Sequence, residues 1–291
     1  MIFNIILLLS WVFLLPVNVL TIPAGYNSAL GLASVSRITR DLTDSALGIN
    51  LKQDFIIPYY VDPSDGGWTP LEKLVSSHGN VNFTVIINPE NGPGSIPPSE
   101  GWLAAVPRLN AFSNILVIGY VRTQEGQRNI LEVKADITTY AGWPTIGNPS
   151  FAVHGIFLDE TPSEFDANKV AYYKDLVSTI RNSTGLGPNH YSVMNPGTMA
   201  DVAYIDISDV TVIFESPYSE FQTTWSSNLF DKVKELDLAH LSTMVYDIPS
   251  NVEISTLVRQ LKSISCHIYL SNLNTYEAYD GLWDKAVELI G

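Results

Sequence analysis

A chain of 291 residues with 46% hydrophobic and 16% charged side chains can bury a sizeable core, which argues against a disordered protein. A formal net charge of −14 argues against a nucleic-acid partner, which needs a basic face, and favours a neutral or cationic one. The single cysteine, Cys266, excludes an internal disulfide, so the core alone must hold the fold.

The first charged side chain is Arg37. Ahead of it, Ile5–Leu15 (IILLLSWVFLL) has the length of a signal-peptide core and is too short to span a bilayer. Pro16 and Asn18 break the run, and small residues follow. Residues 1–24 are therefore expected to be a signal peptide, with a retained signal anchor as the competing reading. The mature protein is then expected to be secreted or held at the cell wall, with no membrane contact, and to be a monomer. Residues 25–50 read as a polar lead-in, and 51–291 as one domain. Sequons stand at Asn82 and Asn182.

Eight apolar runs follow in order, at Phe55–Val61, Phe83–Asn88, Ile115–Val121, Gly155–Asp159, Tyr191–Asn195, Val210–Glu215, Leu241–Tyr246 and His267–Ser271. Most are continuous rather than alternating, as parallel strands covered on both faces require. Amphipathic stretches separate them. Thr69-Pro70-Leu71-Glu72 reads as a capping box opening a helix to Ser77. Helices are also expected over Ser99–Phe112, Asn129–Tyr140, Ser163–Asn182, Asn228–Leu236, Val252–Ile264 and Tyr276–Ile290, with a short one over Met199–Tyr204. Eight β-then-α units in one domain predict an α/β fold, a (β/α)8 TIM barrel. A doubly wound open sheet is the alternative, but the first turn, DPSDGGW, lacks its glycine fingerprint.

Barrel chemistry sits at the C-terminal ends of the strands. In this chain those ends carry Tyr60, Asn88, Tyr120, Arg122, Asp159, Glu160, Asn195, Glu215, Tyr246 and Asn272. Acids suit a glycosidic bond, amides suit hydroxyls, and aromatic faces suit a pyranose ring. No lysine ends a strand, which argues against Schiff-base chemistry. All five histidines precede or begin strands, so no metal site and no cofactor is expected. Alternation puts Asp159 on the side of Phe157 and turns Glu160 away. Each acid also has a bland reading. Asp159 or Glu160 could cap a helix or pair with Arg122, Asn88 and Asn195 could be turn residues before proline, and one of Tyr59 and Tyr60 must be core.

The motifs PYYVDP (58–63), FTVIINPENGPG (83–94), IGYVRT (118–123), GIFLDE (155–160), NPGT (195–198) and FES (214–216) occur in this order. Together they resemble the spherulin 4-like family, which includes the galactosaminogalactan hydrolases of glycoside hydrolase family 135. The resemblance runs from Phe55 to Asn272. It implies a (β/α)8 barrel that makes internal cuts in α-1,4-linked N-acetylgalactosamine or galactosamine. It also implies conserved acids at Asp159, Glu160 and Glu215, with Tyr60, Asn88, Tyr120, Arg122, Asn195, Tyr246 and Asn272 as candidate substrate contacts.

The expectation is a secreted endo-acting glycoside hydrolase with a galactosamine-containing polysaccharide as its partner. Asp159 is read as nucleophile or base, Glu215 as acid/base, and Glu160 as a group that orients or tunes one of them. The alternative from another class is a non-catalytic wall or spore-coat protein that binds polysaccharide.

Overall fold

Runs such as Phe55-Ile56-Ile57 and Val85-Ile86-Ile87 are apolar at consecutive positions, so both faces of each strand need cover. In the computed structural model, which describes residues 54–291, both faces have it. Eight parallel strands close into a barrel in sequence order. They are β1 (Asp54–Pro58), β2 (Asn82–Ile87), β3 (Ile115–Arg122), β4 (Gly155–Asp159), β5 (Tyr191–Met194), β6 (Val210–Pro217), β7 (Leu241–Tyr246) and β8 (His267–Leu270). Closure pairs Asp54 with His267 and Phe55 with Ile268. The TIM barrel expected from the sequence is the observed fold. The signal peptide expected over 1–24 and the lead-in over 25–50 lie outside the described residues.

One helix follows each strand: α1 (Thr69–Ser77), α2 (Glu100–Leu109), α3 (Ile130–Gly142), α4 (Ala167–Asn182), α5 (Val202–Ile205), α6 (Tyr218–Ser226), α7 (Ile254–Lys262) and α8 (Leu282–Ile290). Local chemistry starts several of them. Asp166 caps α4 by accepting from the backbone amides of Asn168 and Lys169, and Asn129 caps α3 through Leu131. The expected capping box on α1 does not form. Trp68 stands at the cap and makes no side-chain bond to the helix, and Glu72 reaches Arg108 instead, at 2.9 Å.

Two helices differ from expectation. After β6, α6 begins directly at Tyr218, and residues 229–235 form a 3-10 helix rather than an α-helix. The buried positions there are Phe230 and Val233, a spacing of three that fits a 3-10 turn and gives no α-helical stripe. Asn228, at φ 59°, separates the two segments. After β8, the helix starts at Leu282, not Tyr276. Asp280 accepts from the Leu282 amide and from Ser271 and Asn272, so residues 271–281 form a tied loop.

One irregularity re-aims a side chain. Val212 pairs with Ser242 and Phe214 with Thr243, leaving Ile213 as a bulge in β6. Ser242 and Thr243 are consecutive and face opposite sides, so Val212 and Phe214 do too. Phe214 therefore points outward onto Phe221 and Phe230, and Glu215 points to the barrel interior.

Candidate active site

Unbroken alternation along β6 would have sent Glu215 outward with Thr211; the bulge brings it in. On β4, Asp159 follows Phe157 to the inner face, where Phe157 stacks on Tyr120 at a centroid distance of 6.3 Å. Between β4 and β6 lies β5, and just past its end Asn195 is buried. These three residues form the centre of the site.

The Asn195 side-chain amide donates to both acids, to Asp159 Oδ1 at 2.8 Å and to Glu215 Oε2 at 2.5 Å. Both bonds share one nitrogen, so the two carboxylate oxygens are at most about 5.3 Å apart, the sum of the two distances. Asn195 is itself fixed, its Oδ1 accepting from the Gly197 amide at 3.0 Å. Each acid has its own phenol as well. Tyr120 donates to Asp159 Oδ2 at 2.7 Å, and Tyr276 donates to Glu215 Oε1 at 2.5 Å.

All of these donors are neutral. Burial raises Asp159 above the ordinary aspartate range, opposed by bonds from Tyr120, the Glu160 amide and Asn195 and reinforced by the negative charge of Glu160. Burial also raises Glu215, opposed by Tyr276 and Asn195 and reinforced by the negative charge of Asp159. Tyr120 and Tyr60 are raised in turn, first by burial and then by the nearby acids.

The remaining candidates divide into two groups. Tyr60 and Tyr246 converge on the acids: Tyr60 meets Tyr120 edge-on at 5.6 Å and Tyr276 at 5.5 Å, and Tyr246 meets Tyr276 at 6.4 Å. Its neighbour Tyr59 is fully buried and bonded to the Gly67 carbonyl. Glu160, Arg122, Asn88 and Asn272 serve their own surroundings. Glu160 takes a left-handed φ of 53°, ending the strand, and its carboxylate pairs with Arg122 Nε at 2.8 Å where both are half-exposed. Asn88 accepts from the Gly92 amide and closes its own loop, and exposed Asn272 donates to the Ile248 carbonyl.

Two side chains were not anticipated. Tyr276 reaches Glu215 from 61 positions along the chain, from the middle of a loop that the sequence pattern predicts as a helix. Thr123, fully buried, donates to the carbonyls of Asp159 and Glu160 at 2.7 and 3.0 Å, fixing the turn that separates the two acids. Its signal was its place just past the end of β3. Among the described residues no cluster of histidines, cysteines and acids is arranged to hold a metal.

The sequence model of Spherulation-specific family 4 matches residues 54–290, which is the whole barrel. Spherulin-4 of Physarum polycephalum is 32% identical over 173 residues, covering 59% of this chain and 47% of its own. The chain thus matches about half the length of that curated relative. The crystal structure of Aspergillus clavatus Sph3 in complex with GalNAc is 39% identical, with a TM-score of 0.80 over 82% of this chain and 97% of Sph3. A more distant structure, an endo-beta-N-acetylglucosaminidase from Cordyceps militaris, is 11% identical with a TM-score of 0.49 over 92% of this chain and 96% of its own, and bears on no residue here. The resemblance carried by the ordered motifs is borne out, and the chain belongs to the spherulin 4 family.

Proposed function

We propose that this protein is a secreted glycoside hydrolase that cuts within an α-1,4-linked, galactosamine-containing polysaccharide of the galactosaminogalactan type. The observation that carries this reading is the Asp159–Asn195–Glu215 bridge, in which two partly buried carboxylates bring an oxygen each within about 5.3 Å of the other. That upper bound on the nearest oxygens supports the short spacing of about 5–5.5 Å used by retaining enzymes over the roughly 6.5–9.5 Å of inverting ones. The GalNAc bound by Sph3 supports the sugar class. The net charge of −14 suits a partly deacetylated, cationic polymer.

The environments support a division of roles. Asp159 receives three donors, which favours its ionised form, and acts as nucleophile. Glu215 receives two and is disfavoured as an anion by Asp159, so it holds the proton and acts as general acid. In the first step Glu215 protonates the glycosidic oxygen as the C1–O bond breaks and Asp159 bonds to C1. In the second, Glu215 takes a proton from water, whose oxygen displaces Asp159 from C1. Glu160 holds Arg122 at the rim and turns the chain so that Asp159 alone enters the barrel.

The test is oligosaccharide release from purified galactosaminogalactan, with the anomer of the first product followed by NMR. Wild type should release oligosaccharides with retention. Asp159→Asn and Glu215→Gln should each reduce the rate about 10²–10⁴-fold. Undiminished release by either variant sinks the assignment. Tight polysaccharide binding by wild type without turnover at any pH establishes the wall-binding alternative. The secreted state is tested by sequencing the N-terminus of protein recovered from the medium, expected to begin after residue 24.

A further inference from the structure

We propose that Tyr276 is a positioning residue for Glu215 and that Asp280 holds Tyr276 in place, a device that rests on reading Glu215 as the acid/base. The loop from 271 to 281 carries no regular element, yet it is tied at both ends by one buried carboxylate. Asp280 Oδ2 accepts from Ser271 Oγ at 2.7 Å and from the Asn272 amide at 2.5 Å, and its Oδ1 accepts from the Leu282 amide at 2.9 Å. Asp280 is only 6% exposed, so these three donors are what satisfies it.

The middle of the loop is held by its neighbours. The Tyr60 amide donates to the Tyr276 carbonyl, and the Asp247 amide donates to the Leu273 carbonyl, each at 2.9 Å. The Tyr276 ring then sits among Tyr60, Tyr246 and Tyr269, with centroids at 5.5, 6.4 and 5.7 Å, all edge-on. Within that cage its hydroxyl has one carboxylate partner, Glu215 Oε1.

The chemistry of the phenol fits an acid that changes state. A hydroxyl can donate to ionised Glu215 and accept from protonated Glu215, whereas the Asn195 amide at Oε2 can only donate. Tyr276 therefore keeps Glu215 in one orientation through both halves of an acid/base cycle. The titratable groups facing Glu215 are Asp159 from β4, Tyr60 from beyond β1, Tyr246 at the end of β7, Tyr269 from β8, and Tyr276. None is a cation. Removing the phenol donor destabilises the anion, so the proton binds Glu215 more tightly.

The experiment compares wild type with Tyr276→Phe and Asp280→Asn by two readouts. One is the pH profile of kcat/KM on galactosaminogalactan. The other is NMR titration of the ¹³C-labelled Glu215 carboxyl, which needs no turnover. In Tyr276→Phe the limb governed by Glu215 should move to higher pH, kcat should fall about tenfold, and KM should change less than about twofold. Asp280→Asn should move both readouts the same way by a smaller amount. If that variant does not fold, Ser271→Ala, which removes one of the three ties, should do so instead. An unmoved Glu215 titration in Tyr276→Phe overturns the proposal. A shift in Tyr276→Phe that neither Asp280→Asn nor Ser271→Ala reproduces overturns the role of Asp280. A titration moved in Tyr276→Phe, with a wild type that releases no oligosaccharide, upholds the positioning of Glu215 and refutes the hydrolase reading alone.

Discussion

The two ends of the barrel both bury acids, but they satisfy them differently. At the N-terminal end, Asp54 accepts from Thr84 Oγ1 at 2.7 Å and faces His267 Nδ1 at 3.1 Å. His267 Nε2 faces the Ala239 carbonyl at 3.0 Å, so the ring bridges the Asp54 carboxylate and a backbone carbonyl. Asp209 nearby takes the amide and hydroxyl of Ser192. These bonds stitch β1 to β2 and β8, and β5 to the turn before β6. At the C-terminal end, the side chains that reach Asp159 and Glu215 are Tyr120, Asn195 and Tyr276, all neutral. A charged partner would lock a carboxylate in its ionised form; a neutral donor orients it and leaves the proton exchangeable. The lower end is polar for closure, and the upper end is polar in a way that preserves reactivity.

The comparison is broken most directly at Asn195. If the amide orients the two acids, Asn195→Ala should cost about 10²-fold in kcat/KM, by analogy with the loss of one preorganised donor in other enzymes. Steady-state kinetics on the polysaccharide reads this, and a loss under threefold would mean that the acids position themselves. The matching change at the lower end is His267→Ala. It should lower stability by about 1.5–3 kcal/mol, the worth of a hydrogen bond to a charged group, seen in urea unfolding. The kcat of the folded fraction should stay at the wild-type value. Loss of kcat without loss of stability would erase the distinction between the ends.

A smaller effect of opposite sign is expected at Glu215. Its folded pKa is raised by burial above the value in the unfolded chain, near 4.3. Between those two values the native state binds more protons than the unfolded one, so stability falls as pH rises through the window. Glu215→Gln has no such penalty. Thermal unfolding should show the variant more stable than wild type at pH 7, with the gap narrowing as pH falls toward 4. A gap that does not depend on pH would mean that shape, not charge, sets the difference.

The barrel order was legible because it rests on repetition. Eight apolar runs, each followed by a helix, leave few other topologies. Asp159 was legible for the same reason, since alternation on a short regular strand fixes its side. Glu215 was legible only as a strand-end acid. Its inward direction depends on the bulge at Ile213, which no residue type announces. Tyr276 was hidden because loops obey no period, and the buried Asp280 that ties its loop reads in sequence as one more surface acid. Tyr218–Ser226 was missed as a helix because Phe221 is its one fully buried residue, too little for an apolar stripe.

Glu160 gives the smallest expected effects and the sharpest separation of strain from function. Its φ of 53° is a left-handed conformation that glycine adopts freely and a glutamate adopts at a cost. Its bond to Arg122 joins two half-exposed side chains, so it contributes little and is screened by salt. Glu160→Gly loses that pair and relieves the backbone, so its net stability change should be about 1 kcal/mol or less. Glu160→Ala loses the pair and keeps the strain, and should be the less stable of the two. Urea unfolding at low and high salt distinguishes them, because only the ion-pair part fades with salt. If both variants hydrolyse polysaccharide like wild type, the carboxylate at 160 is a rim contact and glycine would have served. If Glu160→Gly folds as well as wild type but turns over more slowly, the strained glutamate is retained for its charge, and the upper end of the barrel uses three acids rather than two.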